Sequence, residues 1–138
     1  MAHRLDITKR LHERLLEIVR TALPLIPSVK ADADLIGLAH LRSEMVEAMN
    51  AYCRHVHELH GDAAATAEPS RLLTARTLIE GCSSLHASYE VFRERWEHRA
   101  ALDNWYEYRL SAVVMMKQVR DQVRQTESLF QDDRLKAA

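Results

Sequence analysis

Chain breakers are scarce. Glycine and proline occur three times each in 138 residues, too few for an all-β fold built on many turns, so a few long helices are expected. No excess of one charge is present either. A formal net charge of −1 leaves no basic footprint for nucleic acid or an anionic membrane. The N-terminus "MAHRLDITKR" is charged and has no apolar stretch, so it does not read as a signal peptide. No run approaches the ~18–20 apolar residues that a membrane span needs. A cytoplasmic protein is the expectation, with the two cysteines, Cys53 and Cys82, reduced and buried.

The residues that are abundant describe a globular chain. Apolar residues are 47% and charged residues 28%, an ordinary composition for a folded domain. The length suits a single domain over residues 1–138 with a real core.

Breaks divide the chain into four segments. "LPLIPSVKADAD" (23–34) carries Pro24 and Pro27, then aspartates suited to capping a helix. "HGDAAATAEPS" (60–70) holds Gly61 and a Pro69 that fits the first turn of a helix. "NWYE" offers Asn104 as a cap with Glu107 three residues on, the spacing of a capping box. The spacing predicts helices over about 4–22, 33–60, 69–98 and 104–133.

Each segment carries an apolar stripe at helical spacing. The first has Leu5, Leu15, Leu16, Val19 and Leu23; the second runs from Leu38 and Leu41 through Met45, Met49 and Tyr52 to Val56 and Leu59. The third offers Leu78, Cys82, Leu85, Tyr89, Phe92 and Trp96, and the fourth Trp105, Ala112, Met116, Val119, Val123 and Phe130. Short connections between long amphipathic helices imply an all-α, antiparallel up-down-up-down four-helix bundle. The polar faces mix both charge signs, unlike the cationic face of a membrane-surface helix.

The stretch "AYCRHVHELH" (51–60) gathers three histidines, a cysteine and a glutamate. At ~100° per residue, Arg54 and Glu58 point away from the apolar stripe and His55 lies about a right angle off it. Cys53, His57 and His60 share a side. A solvated flank is the expected reading. His40 and Glu44 have the i, i+4 spacing of helical metal ligands, but His40 faces water.

Other polar residues fall within or beside the stripes: His12 in the first helix, His86 at the margin of the third, Arg109 and Glu127 in the fourth. Such groups need partners when buried. A tyrosine or a carbonyl is expected for the histidines, and a carboxylate such as Glu90 or Glu94 for Arg109. Rise arithmetic puts His12 and His86 at one level of the bundle, with His60 and Glu127 near the other end.

The segments "WYEYRLSAVVMMKQVRDQVRQTESLF", "LRSEMVEAMNAYCRHVHELH", "LHERLLEIV" and "LHASYEVF" resemble the helices of bacterial hemerythrin-like (HHE cation-binding) domains, over about residues 8–130. The resemblance implies a four-helix bundle that holds a non-haem di-iron centre on histidines and bridging carboxylates, in proteins that bind or sense oxygen. It carries over to His12, His57, Glu58, His86 and Glu127. Gln122 or Val123 stands where that family has a histidine, Thr126 precedes Glu127 in place of an acidic pair, and the third helix has one histidine instead of two. The resemblance therefore implies a depleted site and no cofactor, with non-haem iron on a reduced ligand set as the alternative.

The fourth helix has a second apolar stripe, Tyr106, Leu110 and Val114, turned away from Trp105 and Ala112. Exposed, such a stripe marks an interaction surface. It would serve a homodimer or a partner protein's helix. No Gly-rich phosphate loop, nucleophile elbow or zinc-protease motif is present. A non-enzymatic regulatory or interaction bundle is the expected function.

Overall fold

The computed structural model describes residues 2–30, 34–66, 68–96 and 103–137. Helix α1 spans Ala2–Ala22 and passes into a 3-10 turn at Leu23–Leu25; α2 spans Leu35–Thr66, α3 Pro69–Trp96 and α4 Trp105–Ala137. Among the described residues there is no strand. Each helix lies against the next, and α4 closes back on α1. The result is the all-α four-helix bundle that the amphipathic stripes predicted.

The helix starts follow local chemistry. The Gly37 N–H donates to Asp34 Oδ1 at 2.9 Å, so an aspartate caps α2 as expected. Pro69 opens α3, where its missing N–H costs nothing. At the head of α4 the Tyr108 N–H donates to the Asn104 carbonyl at 3.0 Å. Glu107, expected in a capping box with Asn104, reaches instead to Arg95 on α3 at 3.0 Å. The second helix also runs past its expected end at residue 60. Gly61 weakens a helix by about 1 kcal/mol, but three alanines, the best helix formers, follow it and carry α2 to Thr66.

The core draws on the predicted stripes. Leu15, Val19, Met49, Tyr52, Val56, Val119 and Val123 are 0–2% exposed, with Leu78, Cys82, Leu85 and Tyr89 of α3 buried beside them. Leu23 departs from its stripe and is 39% exposed. There the helix tightens to 3-10 geometry, and the change of turn rotates the side chain outward. Phe130 lies outside the described side chains.

The link after α1 decides the axial register. Instead of turning back at once, it continues along the end of the bundle to a buried Ile26. Two α4 side chains hold it: the Trp105 indole N–H donates to the Pro27 carbonyl at 2.9 Å, and Arg109 Nε donates to the Ile26 carbonyl at 3.1 Å. Arg109 was expected to find a carboxylate. It finds the link's carbonyls, while Glu90 is taken by Arg93 at 2.7 Å.

Candidate functional site

Four polar side chains are buried among the described residues, Thr8, His12, His55 and Thr126, and all belong to one layer across the bundle. Thr8 Oγ1 and His55 Nε2 are hydrogen-bonded at 2.6 Å. His12 Nε2 and the Tyr52 hydroxyl lie 3.4 Å apart, and the same hydroxyl meets Thr126 Oγ1 at 3.2 Å. Thr126 in turn donates to the Gln122 carbonyl at 2.9 Å. On its other side, His12 Nδ1 faces Glu127 Oε1 at 3.6 Å, a charge contact longer than a hydrogen bond. The sequence of contacts runs from solvent at Glu127, 50% exposed, to an imidazole that is 1% exposed.

Burial sets the electrostatics. It is the largest influence on His12 and holds the imidazole below its ordinary pKa, with Glu127 pulling the other way and His55 adding to the depression. Burial likewise raises the Tyr52 hydroxyl, offset by its hydrogen bonds to Thr126 and Gln122. Both groups are therefore neutral in the fold near pH 7, which suits a structural layer. At 1% exposure, His12 and Tyr52 offer no surface to a substrate.

Helical spacing brings these groups together. Thr8 and His12 stand four apart on α1, Tyr52 and His55 three apart on α2, Gln122 and Thr126 four apart on α4, so each pair shares a face. The sequence reading missed His55, which is 5% exposed. Helix α2 lies between two neighbours, so its buried arc is wider than one stripe and takes in the flank that faces α1. A threonine one turn before a buried histidine was the available signal.

Of the residues carried over from the resemblance, His12 and Glu127 are brought together. This corrects the expected level: His12 was placed opposite His86, away from Glu127. Roughly 20 Å of chain separates His12 from Ile26, and roughly 27 Å of helix separates Arg109 from Glu127. Arg109 holds the Ile26 carbonyl, so α1 is followed by a link along the bundle end and levels counted from a tight turn after α1 do not apply. His86 is half-buried on α3, diagonal to α1. His57 and Glu58 are exposed on α2, and His40 pairs with Glu44 at 3.0 Å in solvent. No group of three or more His, Cys, Asp or Glu among the described residues is placed to hold a metal ion, so the carried-over residues do not fit a di-iron centre.

The cysteines also depart from expectation. Cys53 and Cys82 form a disulfide between α2 and α3, with Cα atoms 6.0 Å apart. Antiparallel helices place the two residues at one level, within the distance a disulfide spans.

The second stripe of α4 is exposed: Tyr106 is 71%, Leu110 47% and Val114 57% accessible, and Val91 of α3 is 67%. Leu110, Val114 and Val91 edge an open groove of about 470 Å³ between the two helices. No described helix is long and apolar enough to cross a membrane.

Comparison with protein-family models, with curated proteins and with solved structures finds no match to the chain.

Proposed function

We propose that the protein is a non-enzymatic interaction bundle that self-associates through the α3–α4 face as an isologous homodimer. The observation that carries this reading is the exposed stripe of Tyr106, Leu110 and Val114 beside Val91. Contiguous apolar area of this kind, rimmed by charge, is what partner surfaces present. The rim supports pairing with a second copy. About a two-fold axis level with Ala112, Leu110 of one copy faces Val114 of the other, and Glu107 faces Lys117, so antiparallel α4 helices bring opposite charges together.

The absence of catalysis is part of the proposal. The polar layer that would supply acid-base chemistry has its imidazole and its phenol sealed inside the bundle. The reading with non-haem iron on a reduced set has one converging pair, His12 and Glu127, and is not favoured. A cytoplasmic location belongs with the thiol form of Cys53 and Cys82 and an oxidising compartment with the disulfide; alkylation at the moment of cell lysis distinguishes them.

The test is mass by light scattering on the wild type and on a Leu110→Glu/Val114→Lys variant. The wild type is expected at dimer mass and the variant at monomer mass, with unchanged helical circular dichroism. A monomeric wild type at high concentration, or a variant that keeps the dimer mass, defeats the proposal.

A further inference from the structure

The sequence holds two cysteines, so no other pairing competes for them, and the fold brings them together. Cys53 on α2 and Cys82 on α3 are joined across two antiparallel helices, with Cα atoms 6.0 Å apart. Their surroundings differ. Cys82 is 3% exposed and belongs to the core with Leu78 and Leu85. Cys53 is half-buried, on the flank of α2 that carries the exposed His57. The crosslink is not what makes the bundle fold. A domain of 138 residues with buried apolar side chains from all four helices has no need of the staples that smaller domains use. The opened pair also has an acceptor in place. Cys53 Sγ lies 4.0 Å from the Cys82 carbonyl oxygen, which a thiol can donate to and a disulfide sulfur, having no proton, cannot.

We infer that Cys53 and Cys82 are a reversible peroxide-responsive pair, in which Cys53 is the residue oxidised and Cys82 the one that resolves it. The Cys53 thiolate attacks a hydroperoxide. An S–O bond forms, the O–O bond breaks, and the departing alkoxide (hydroxide, from hydrogen peroxide) takes up the proton that the thiol had released. Cys53 is left as a sulfenic acid. The Cys82 thiol then attacks Cys53 Sγ: the S–S bond forms, the S–O bond breaks, and the hydroxyl leaves as water with the Cys82 proton. One hydrogen peroxide thus becomes two waters while two thiols give up two electrons. A dithiol reductant reverses the change by exchange and ends as its own disulfide. Access sets the order, because a sealed Cys82 meets only what forms on Cys53. Size selects the oxidant, since a hydroperoxide is small, whereas a bulky disulfide must line up its S–S axis with a half-buried sulfur. The thiols expected from the sequence and the disulfide of the structure are then two states of one pair. The pair joins α2 to α3 and makes no use of the α4 stripe, so it stands whether or not the protein dimerises.

The test starts from the full chain reduced with dithiothreitol and then freed of it, which should keep its helical circular dichroism. One equivalent of hydrogen peroxide should close the Cys53–Cys82 bond within the chain, and dithiothreitol should return both thiols over repeated cycles. With dimedone present, mass spectrometry should find the sulfenic acid adduct on Cys53 and none on Cys82. Cys82→Ser should accumulate about tenfold more of that adduct than the wild type, because nothing resolves it. Cys53→Ser should lose its thiol to peroxide about tenfold more slowly than Cys82→Ser. Oxidised glutathione at the same concentration should close the pair more slowly than peroxide. An adduct on Cys82, equal thiol loss in the two variants, or faster closure by oxidised glutathione would overturn the inference. So would crosslinks between chains in place of the internal bond, or a reduced protein that loses its helices. Should either serine variant fail to fold, the position of the adduct in the wild type decides.

Discussion

His12 on α1 and Glu127 on α4 face each other at 3.6 Å, the imidazole sealed and the carboxylate half in water. Their contact joins the two helices that close the bundle, and it makes stability depend on pH. Burial depresses the His12 pKa in the fold, whereas the unfolded chain titrates near 6.5. Between those values the unfolded state binds a proton that the folded state refuses. The contribution of a neutral His12 is thus fully present above about pH 6.5 and is lost as pH falls towards the folded value. Denaturation curves at pH 7.5 and at progressively lower pH should show this decline, and His12→Gln should flatten it. Glu127→Gln removes the influence that raises His12, so the decline should extend to lower pH than in the wild type. A Glu127→Gln profile that ends at higher pH would contradict the assignment.

Tyr52 links a group on α1 to one on α4. Its hydroxyl meets both His12 and Thr126, and Tyr52→Phe leaves a ring nitrogen without that partner in a dry interior. A loss of about 1–3 kcal/mol is expected by urea denaturation. Adding Thr126→Val should cost less in the Tyr52→Phe background than alone, because the two hydroxyls partner each other. Strict additivity would mean that the 3.2 Å contact contributes nothing.

The Cys53–Cys82 crosslink closes a loop with a sequence separation of 29 residues. Chain-entropy reasoning assigns such a loop about 3–4 kcal/mol. Reduction, or a Cys53→Ala/Cys82→Ala variant, should lower the denaturant midpoint accordingly while leaving helical content unchanged. A midpoint indifferent to reductant would show that the two thiols are not joined in solution.

Gly81 lies where α3 approaches α4, and a Cβ there would run into the Gln122 side-chain amide. Alanine is about 1 kcal/mol better than glycine inside a helix, but here it must displace an amide that supports Tyr52. Gly81→Ala should therefore give little or no gain in the wild type. In a Gln122→Ala background the same change should stabilise by up to about 1 kcal/mol, measured by thermal unfolding. An equal effect in both backgrounds would remove the proposed close approach.

Much of the fold was legible because it follows from local rules. Pro69 at a helix start, Asp34 as a cap and the apolar positions of α2 each depend on near neighbours in the chain. The site was less legible. His12 and a tyrosine partner could be anticipated from phase alone, but which tyrosine could not, since that depends on axial register. Register was set by a contact distant in sequence, Arg109 with the Ile26 carbonyl, which no periodicity reveals. The same limit hid His55, whose burial depends on which flank of α2 meets α1, and the cysteine pair, which meets only because two antiparallel helices align.

By itself, then, the sequence determined the number of helices, the faces they bury and the second apolar stripe on α4, since helical phase is a property of spacing along one segment. Only the tertiary structure decided that Glu127 rather than His86 answers His12 and that Cys53 reaches Cys82. Each of those depends on how far one helix slides past another, and that distance is fixed by contacts between residues far apart in the chain.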